Sequence, residues 1–267
     1  MRTRLMRAVL LLPAAIAAPA LAAAREYCPS RGGLGTTPCT MSPGKVSVET
    51  ALIGWTRDDT SDGREDTILL GDTQARFGVT DRLELQAGWT PFGHVRTRDK
   101  GVGGVERRGG AGDAYFGFKA SVAHPDGKGL SAAVSSFATL PVGHGAVGSG
   151  DWGAGLLVPV TYDLSDMVNL QFTPEIDAAV DEDGHGRHLA YSAVAGLELK
   201  LSENLSTSLE LQMLRDRDPA DKTRQALAGL SFGYRIGDDL QLDCGANAGL
   251  NHDTPDAELY LGVSRRF

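Results

Sequence analysis

The sequence predicts an all-β fold: a closed transmembrane antiparallel β-barrel of about 12 strands connected as an up-and-down meander. Three observations predict it. Side chains alternate between apolar and polar over spans that are mostly 10 to 14 residues long. Short turns and longer loops alternate strictly along the chain. The last strand ends on an aromatic residue, Phe267.

The elements follow in chain order. Arg2, Arg4 and Arg7 precede an apolar run, Ala8–Pro19, and the small-x-small sequence Ala20-Leu21-Ala22. Positive end, short apolar core and small-residue site predict a secretory signal peptide over 1–24. That core, about 12 residues, is too short to cross a hydrocarbon layer of ~30 Å as a helix. Its removal takes three arginines and moves the formal charge from -8 to -11. So acidic a surface repels nucleic acid, which is excluded as a partner. No later segment reaches 18 continuous apolar residues, so helical membrane spans are excluded as well.

Residues 25–44 form a short periplasmic N-terminal segment rich in Gly, Pro and Thr. It holds Cys28 and Cys39, and export to an oxidising compartment predicts a disulfide between them. A metal reading is weak here, because the pair lacks CxxC spacing and a nearby histidine. Cys244 is left over inside a strand pattern.

The barrel is expected over 45–267. Leu83, Leu85, Ala87 and Trp89 alternate with Glu84, Gln86, Gly88 and Thr90. Leu205, Thr207, Leu209, Leu211 and Met213 alternate with Ser206, Ser208, Glu210 and Gln212. The same rhythm places strands near 45–55, 66–79, 82–92, 112–123, 129–140, 151–162, 167–180, 188–201, 204–214, 223–235, 239–250 and 257–267. Soluble strands usually run five or six residues, whereas a tilted membrane strand needs about 9–11. Tight turns fall at Thr80-Asp81, His124–Lys128, Asp163–Asp166, Ser202-Glu203 and Gly237-Asp238. Longer loops fall at 56–65, 93–111, 141–150, 181–187, 215–222 and 251–256. Short periplasmic turns alternating with long outer loops are the pattern of bacterial outer-membrane barrels. A soluble β-sandwich is the competing reading, and strand length disfavours it. In the final strand Leu259, Leu261, Val263 and Phe267 share a face, and the terminal aromatic resembles the signal read by the outer-membrane assembly machinery. Closure follows because an open sheet edge in hydrocarbon would leave unpaired backbone groups.

Three stretches resemble one family. They are Gly78-Val79-Thr80-Asp81-Arg82-Leu83-Glu84-Leu85, Gly110-Ala111-Gly112-Asp113 opening a strand that runs to Lys119, and Leu140-Pro141-Val142-Gly143. Together they are similar to outer-membrane proteins described as transporters of a phenol-degradation (meta) pathway. Val142 departs from the threonine more usual before that glycine. The resemblance implies a small barrel and a role in passing small hydrophobic or aromatic compounds.

The inward strand faces would carry Glu49, Asp72, Arg76, Glu84, Asp113, Lys119, Glu175, Asp177, Glu198, Lys200, Glu210, Arg235 and Asp243, nine acids and four bases. Two readings compete: an ion-paired plug of side chains, and a narrow water path biased toward cations or neutral solutes. On the second, Glu84, Asp113, Glu175, Asp177, Glu198 and Glu210 shape selectivity, beside Lys119 and Arg235. The 93–111 loop, with His94, Arg96, Arg98, Lys100, Arg107 and Arg108, is a solvated loop, a contact for lipopolysaccharide phosphates, or a constriction folded into the mouth. Gly109–Gly112 is no phosphate cradle, since no helix follows, and no cofactor is expected.

Enzyme chemistry is the outside alternative, because some barrels of this size hydrolyse lipids. Asn251-His252-Asp253-Thr254 lies in a loop without a serine at matching height, so no catalytic residue is expected. His185 and His188 with Asp181 and Asp183 offer only a weak metal set. A structural or adhesive barrel is the remaining alternative. The expected partners are outer-membrane lipid, lipopolysaccharide, the assembly machinery and a small-molecule solute.

Overall fold

The computed structural model describes residues 25–267; the expected signal peptide, 1–24, lies outside them. Among the described residues, fifteen strand segments form one antiparallel sheet. They are β1 (Val46–Asp59), β2 (Gly63–Thr80), β3 (Leu83–Trp89), β4 (Phe92–Asp99), β5 (Val105–Gly110), β6 (Ala114–Ala123), β7 (Leu130–Leu140) and β8 (Gly153–Leu157). The sheet continues with β9 (Val160–Ser165), β10 (Val168–Val180), β11 (Arg187–Lys200), β12 (Leu205–Asp216), β13 (Arg224–Ile236), β14 (Leu240–Gly249) and β15 (Ala257–Arg266). β1 pairs with both β2 and β15, so the sheet closes on itself.

Three of the crossings are interrupted. β3 and β4 both pair with β2, on either side of Thr90-Pro91. Proline lacks the N–H a ladder needs, and opposite it Gly71 takes φ +71, a left-handed backbone that favours glycine. β5 and β6 continue one another across residues 111–113, and β8 and β9 across Val158-Pro159. Counting each interrupted pair once gives twelve staves, the expected number.

The alternation sorts faces as the sequence implies. Leu209, Leu211 and Met213 on β12 are exposed outward, while Ser208 and Glu210, which alternate with them, are buried in the barrel. Outward aromatics lie toward both rims: Phe77, Tyr162, Tyr234 and Phe267 near the short turns, Trp89, Phe92 and Trp152 near the longer loops. On β15, Leu259 and Leu261 point out with Arg265, whose guanidinium lies 5.0 Å from the Phe267 ring.

One loop expectation is corrected. The 93–111 stretch is mostly a β-hairpin, β4 against β5, turning at residues 100–104. It lengthens β2 to Gly63 and shrinks the 56–65 loop to residues 60–62. Glu106, Arg107 and Arg108 are exposed, as expected of a hairpin standing above the apolar band, where water serves both faces. No apolar stripe marks it in the sequence, because neither face meets lipid.

Candidate functional site: the lumen and its N-terminal insert

Barrel closure turns a row of polar side chains from every stave toward one axis. Charges brought together there need partners. Arg76 on β2 is 0 % exposed and forms the hub. Its Nη1 donates to Glu49 Oε1 at 2.9 Å, and its Nε and Nη2 donate to the two carboxylate oxygens of Glu84, each at 2.9 Å. Lys119 Nζ on β6 lies 3.6 Å from Glu84. The planar fork suits a bidentate carboxylate, and the pairing offsets desolvation that neither ion alone would survive cheaply.

The remaining hydrogen-bonding capacity goes to residues 25–44, which enter the barrel and leave it at the short-turn rim. Arg25 and Glu26 sit at that rim. Arg25 donates to the Pro125 carbonyl, and Arg235 on β13 to the Glu26 carboxylate. That hydrogen bond holds the Glu26 carboxyl below its ordinary range. Tyr27, 2 % exposed, then hydrogen-bonds Ser47 at 2.6 Å. Ser30 and Arg31 donate their backbone N–H to Glu49 at 2.8 and 3.1 Å, and Arg31 pairs with Asp243 on β14. The tip, 32–36, reaches the far wall. Leu34 and Gly35 donate backbone N–H to Glu210 at 2.8 and 2.9 Å, and Ser231 donates to the Gly32 carbonyl at 2.7 Å.

The chain then returns. Lys119 donates to the Thr37 carbonyl at 2.8 Å, Arg76 to the Cys28 and Cys39 carbonyls at 2.8 and 3.1 Å, and Met41 N–H to Glu84 at 2.8 Å. Cys28 and Cys39 form a disulfide across the neck, as expected from their spacing and compartment. At the exit a β-carbon on Gly78 would sit 2.2 Å from the Ser42 carbonyl oxygen, so only glycine lets the two backbones approach so closely.

The expected selectivity residues therefore occupy four settings. Glu84, Lys119 and Glu210 hold the insert. Glu198 and Arg235 line a cleft of about 440 Å³ left between the insert and the β9–β14 wall, with Gln171 and Lys200 beside them. Glu175 and Asp177 stand on β10 nearer the long-loop rim, half-buried. Asp113 belongs to the interruption before β6. Its carboxylate accepts the Gly143 and Ser149 N–H groups at 2.8 Å and so ties down the 141–152 connection. The Asn251–Thr254 tetrad also ties loops: Asp253 accepts the Arg224 N–H at 2.9 Å, and Thr254 accepts the Ala226 N–H at 2.9 Å.

The insert itself was not expected from the sequence. A signal was present in the inward-facing Glu49, Arg76, Glu84 and Asp243, more fixed charge than four staves could satisfy among themselves. Polar neighbours in sequence do not reveal which chain segment supplies the missing donors.

Closed staves, an apolar exterior and a charged interior define an outer-membrane β-barrel of the porin-like kind. The family model described as "Putative MetA-pathway of phenol degradation" matches residues 31–267, and the chain belongs to that family. No curated protein matches it. Among solved structures the barrel is similar to the NanC porin, at 9% identity over 82% of this chain and 98% of that one, with a TM-score of 0.51. It is similar also to the β domain of the Bordetella autotransporter Brka, at 11% identity over 85% and 100%, TM-score 0.52. The transport unit of the Escherichia coli autotransporter AIDA-I aligns at 11% identity over 83% and 89%, TM-score 0.50. At these identities the likeness is one of fold.

Proposed function

We propose that the chain is an outer-membrane channel for passive passage of small neutral or cationic solutes, aromatic ones included, and that residues 25–44 govern its lumen. The single observation that carries the reading is an inward-facing polar wall engaged by a segment that precedes the first strand and belongs to no stave. A lumen meant only as a scaffold would be filled more cheaply by apolar side chains. Glu175, Asp177 and Glu198, left free of the insert, are the proposed selectivity residues, balanced by Arg235. Glu84, Asp113, Lys119 and Glu210 act on passage indirectly, by holding the insert or a loop. The family description supports a phenol-like solute. Phe267 serves as the assembly signal, and the basic β4–β5 hairpin faces lipopolysaccharide phosphates.

Uptake of labelled phenol at micromolar concentration, by cells with and without the chain, tests this reading. Slower uptake in the deletion strain is expected. Equal uptake with a weakened envelope would instead favour a structural barrel, the reading that a filled lumen also supports.

A further inference from the structure

At the long-loop rim, on the faces of β11 and β12 that turn inward, the connection 181–186 between β10 and β11 packs against the connection 217–223 between β12 and β13. His188, near the start of β11, is their hub, its side chain only 6% exposed. Its Nδ1 lies 2.8 Å from Asp181 Oδ1 and 3.4 Å from Asp218 Oδ2. Its Nε2 lies 2.6 Å from Asp216 Oδ1, at an angle that makes no hydrogen bond, so a buried ring nitrogen is left without a partner. One donor atom each from Asp181, His188 and Asp218 fall within 4.8 Å of one another.

Two further features distinguish this cluster from a solvated acidic loop. Asp218 is fixed by both connections, its oxygens accepting the Ala220 and Glu182 N–H groups at 2.7 Å each. The nearest basic side chains are engaged elsewhere: Arg187 pairs with Asp151 and lies over Trp152 at 3.6 Å, and Arg217 lies over Tyr191 at 5.5 Å. Three carboxylates thus surround one imidazole, an excess of negative charge even with the ring protonated. Ligands about 2.0–2.2 Å from a tetrahedral ion lie roughly 3.3 Å apart, and the ring nitrogen here lies 2.8 and 3.4 Å from the two carboxylate oxygens.

We propose that His188 Nδ1, Asp181 and Asp218 bind a divalent transition-metal ion of the zinc class. The fourth position is left to water. The ring binds as the neutral tautomer with its proton on Nε2, facing Asp216; any proton on Nδ1 is released on binding. An imidazole donor selects zinc-like ions over calcium or magnesium, which take oxygen ligands. Bound metal ties two outer hairpins together. Asp218, not the sequence-adjacent Asp183, completes the set, because β10–β13 lie side by side.

Calorimetric titration of zinc chloride into the refolded, disulfide-intact mature chain, free of any affinity tag, tests the site. Binding of about one equivalent is expected, weakened at least tenfold in His188→Gln and in Asp218→Asn and unchanged in His252→Gln. Millimolar calcium should not displace the zinc. Zinc-edge X-ray absorption on the wild-type complex, which needs no variant, should show one imidazole among oxygen ligands. Absence of stoichiometric binding, full binding by His188→Gln, displacement by calcium, or a first sphere without imidazole would each overturn the site.

Discussion

Glu84 on β3 and Glu210 on β12 stand six staves apart in a ring of twelve, on facing walls, and both carboxylates accept backbone N–H groups from one inserted segment. Met41 bonds to the first, Leu34 and Gly35 to the second. Anchored on both sides, the insert cannot slide along one wall without breaking bonds on the other. The inner charges consequently have a defined task, fixing 25–44 across the axis.

Arg76 is the most exposed to test among these anchors, because two buried carboxylates depend on it. Arg76→Leu should destabilise the barrel by about 3–5 kcal/mol, the usual cost of leaving a buried charge unpaired. Adding Glu84→Gln should recover part of that loss. Urea unfolding from lipid vesicles measures both, and a change under about 0.5 kcal/mol in the single variant would show that the hub carries no weight.

The barrel was legible in the sequence because lipid imposes a period of two on every stave, as in Leu209, Leu211 and Met213 against Ser208, Glu210 and Gln212. The β4–β5 hairpin was not, since Thr97, Arg98 and Glu106–Arg108 meet water on both faces and show no contrast. Glu49, Glu84 and Glu210 could be placed inward, but the partners the insert brings them are backbone N–H groups, which leave no trace in residue identity. The Cys28–Cys39 pairing was accessible from spacing and compartment; that the loop it closes sits within the lumen was not.

The disulfide closes a short loop within the insert and restricts its unfolded conformations, an effect of about 3 kcal/mol for loops near this size. Replacing both Cys28 and Cys39 by Ser should leave heat-modifiable migration of the barrel intact while making residues 25–44 cleavable by added protease. Unchanged resistance of the insert would show that the lumen anchors alone suffice.

Cys244 is exposed beside Leu242 on the outward face of β14. In lipid vesicles a hydrophobic maleimide should label it, and a charged, membrane-impermeant one should not. Comparable labelling by the charged reagent would place that face in water and contradict the assigned orientation.

At the short-turn rim, Arg235 holds the Glu26 carboxyl below its ordinary value of 4.5. A lowered carboxylate pKa contributes stability that is complete above 4.5 and is lost as pH falls through the lower, folded value. The difference in melting temperature between the wild type and Glu26→Gln should therefore be present at neutral pH and vanish in that acid window. A difference independent of pH would remove the ion pair from the account.

Single-channel recording in planar bilayers tests most directly whether the insert closes the lumen, by comparing the mature chain with a variant lacking residues 26–42. Rare, small openings are expected for the intact chain and steady, larger, cation-preferring steps for the shortened one. Equal conductance in the two, or no conductance in a correctly folded shortened barrel, would contradict closure by the insert.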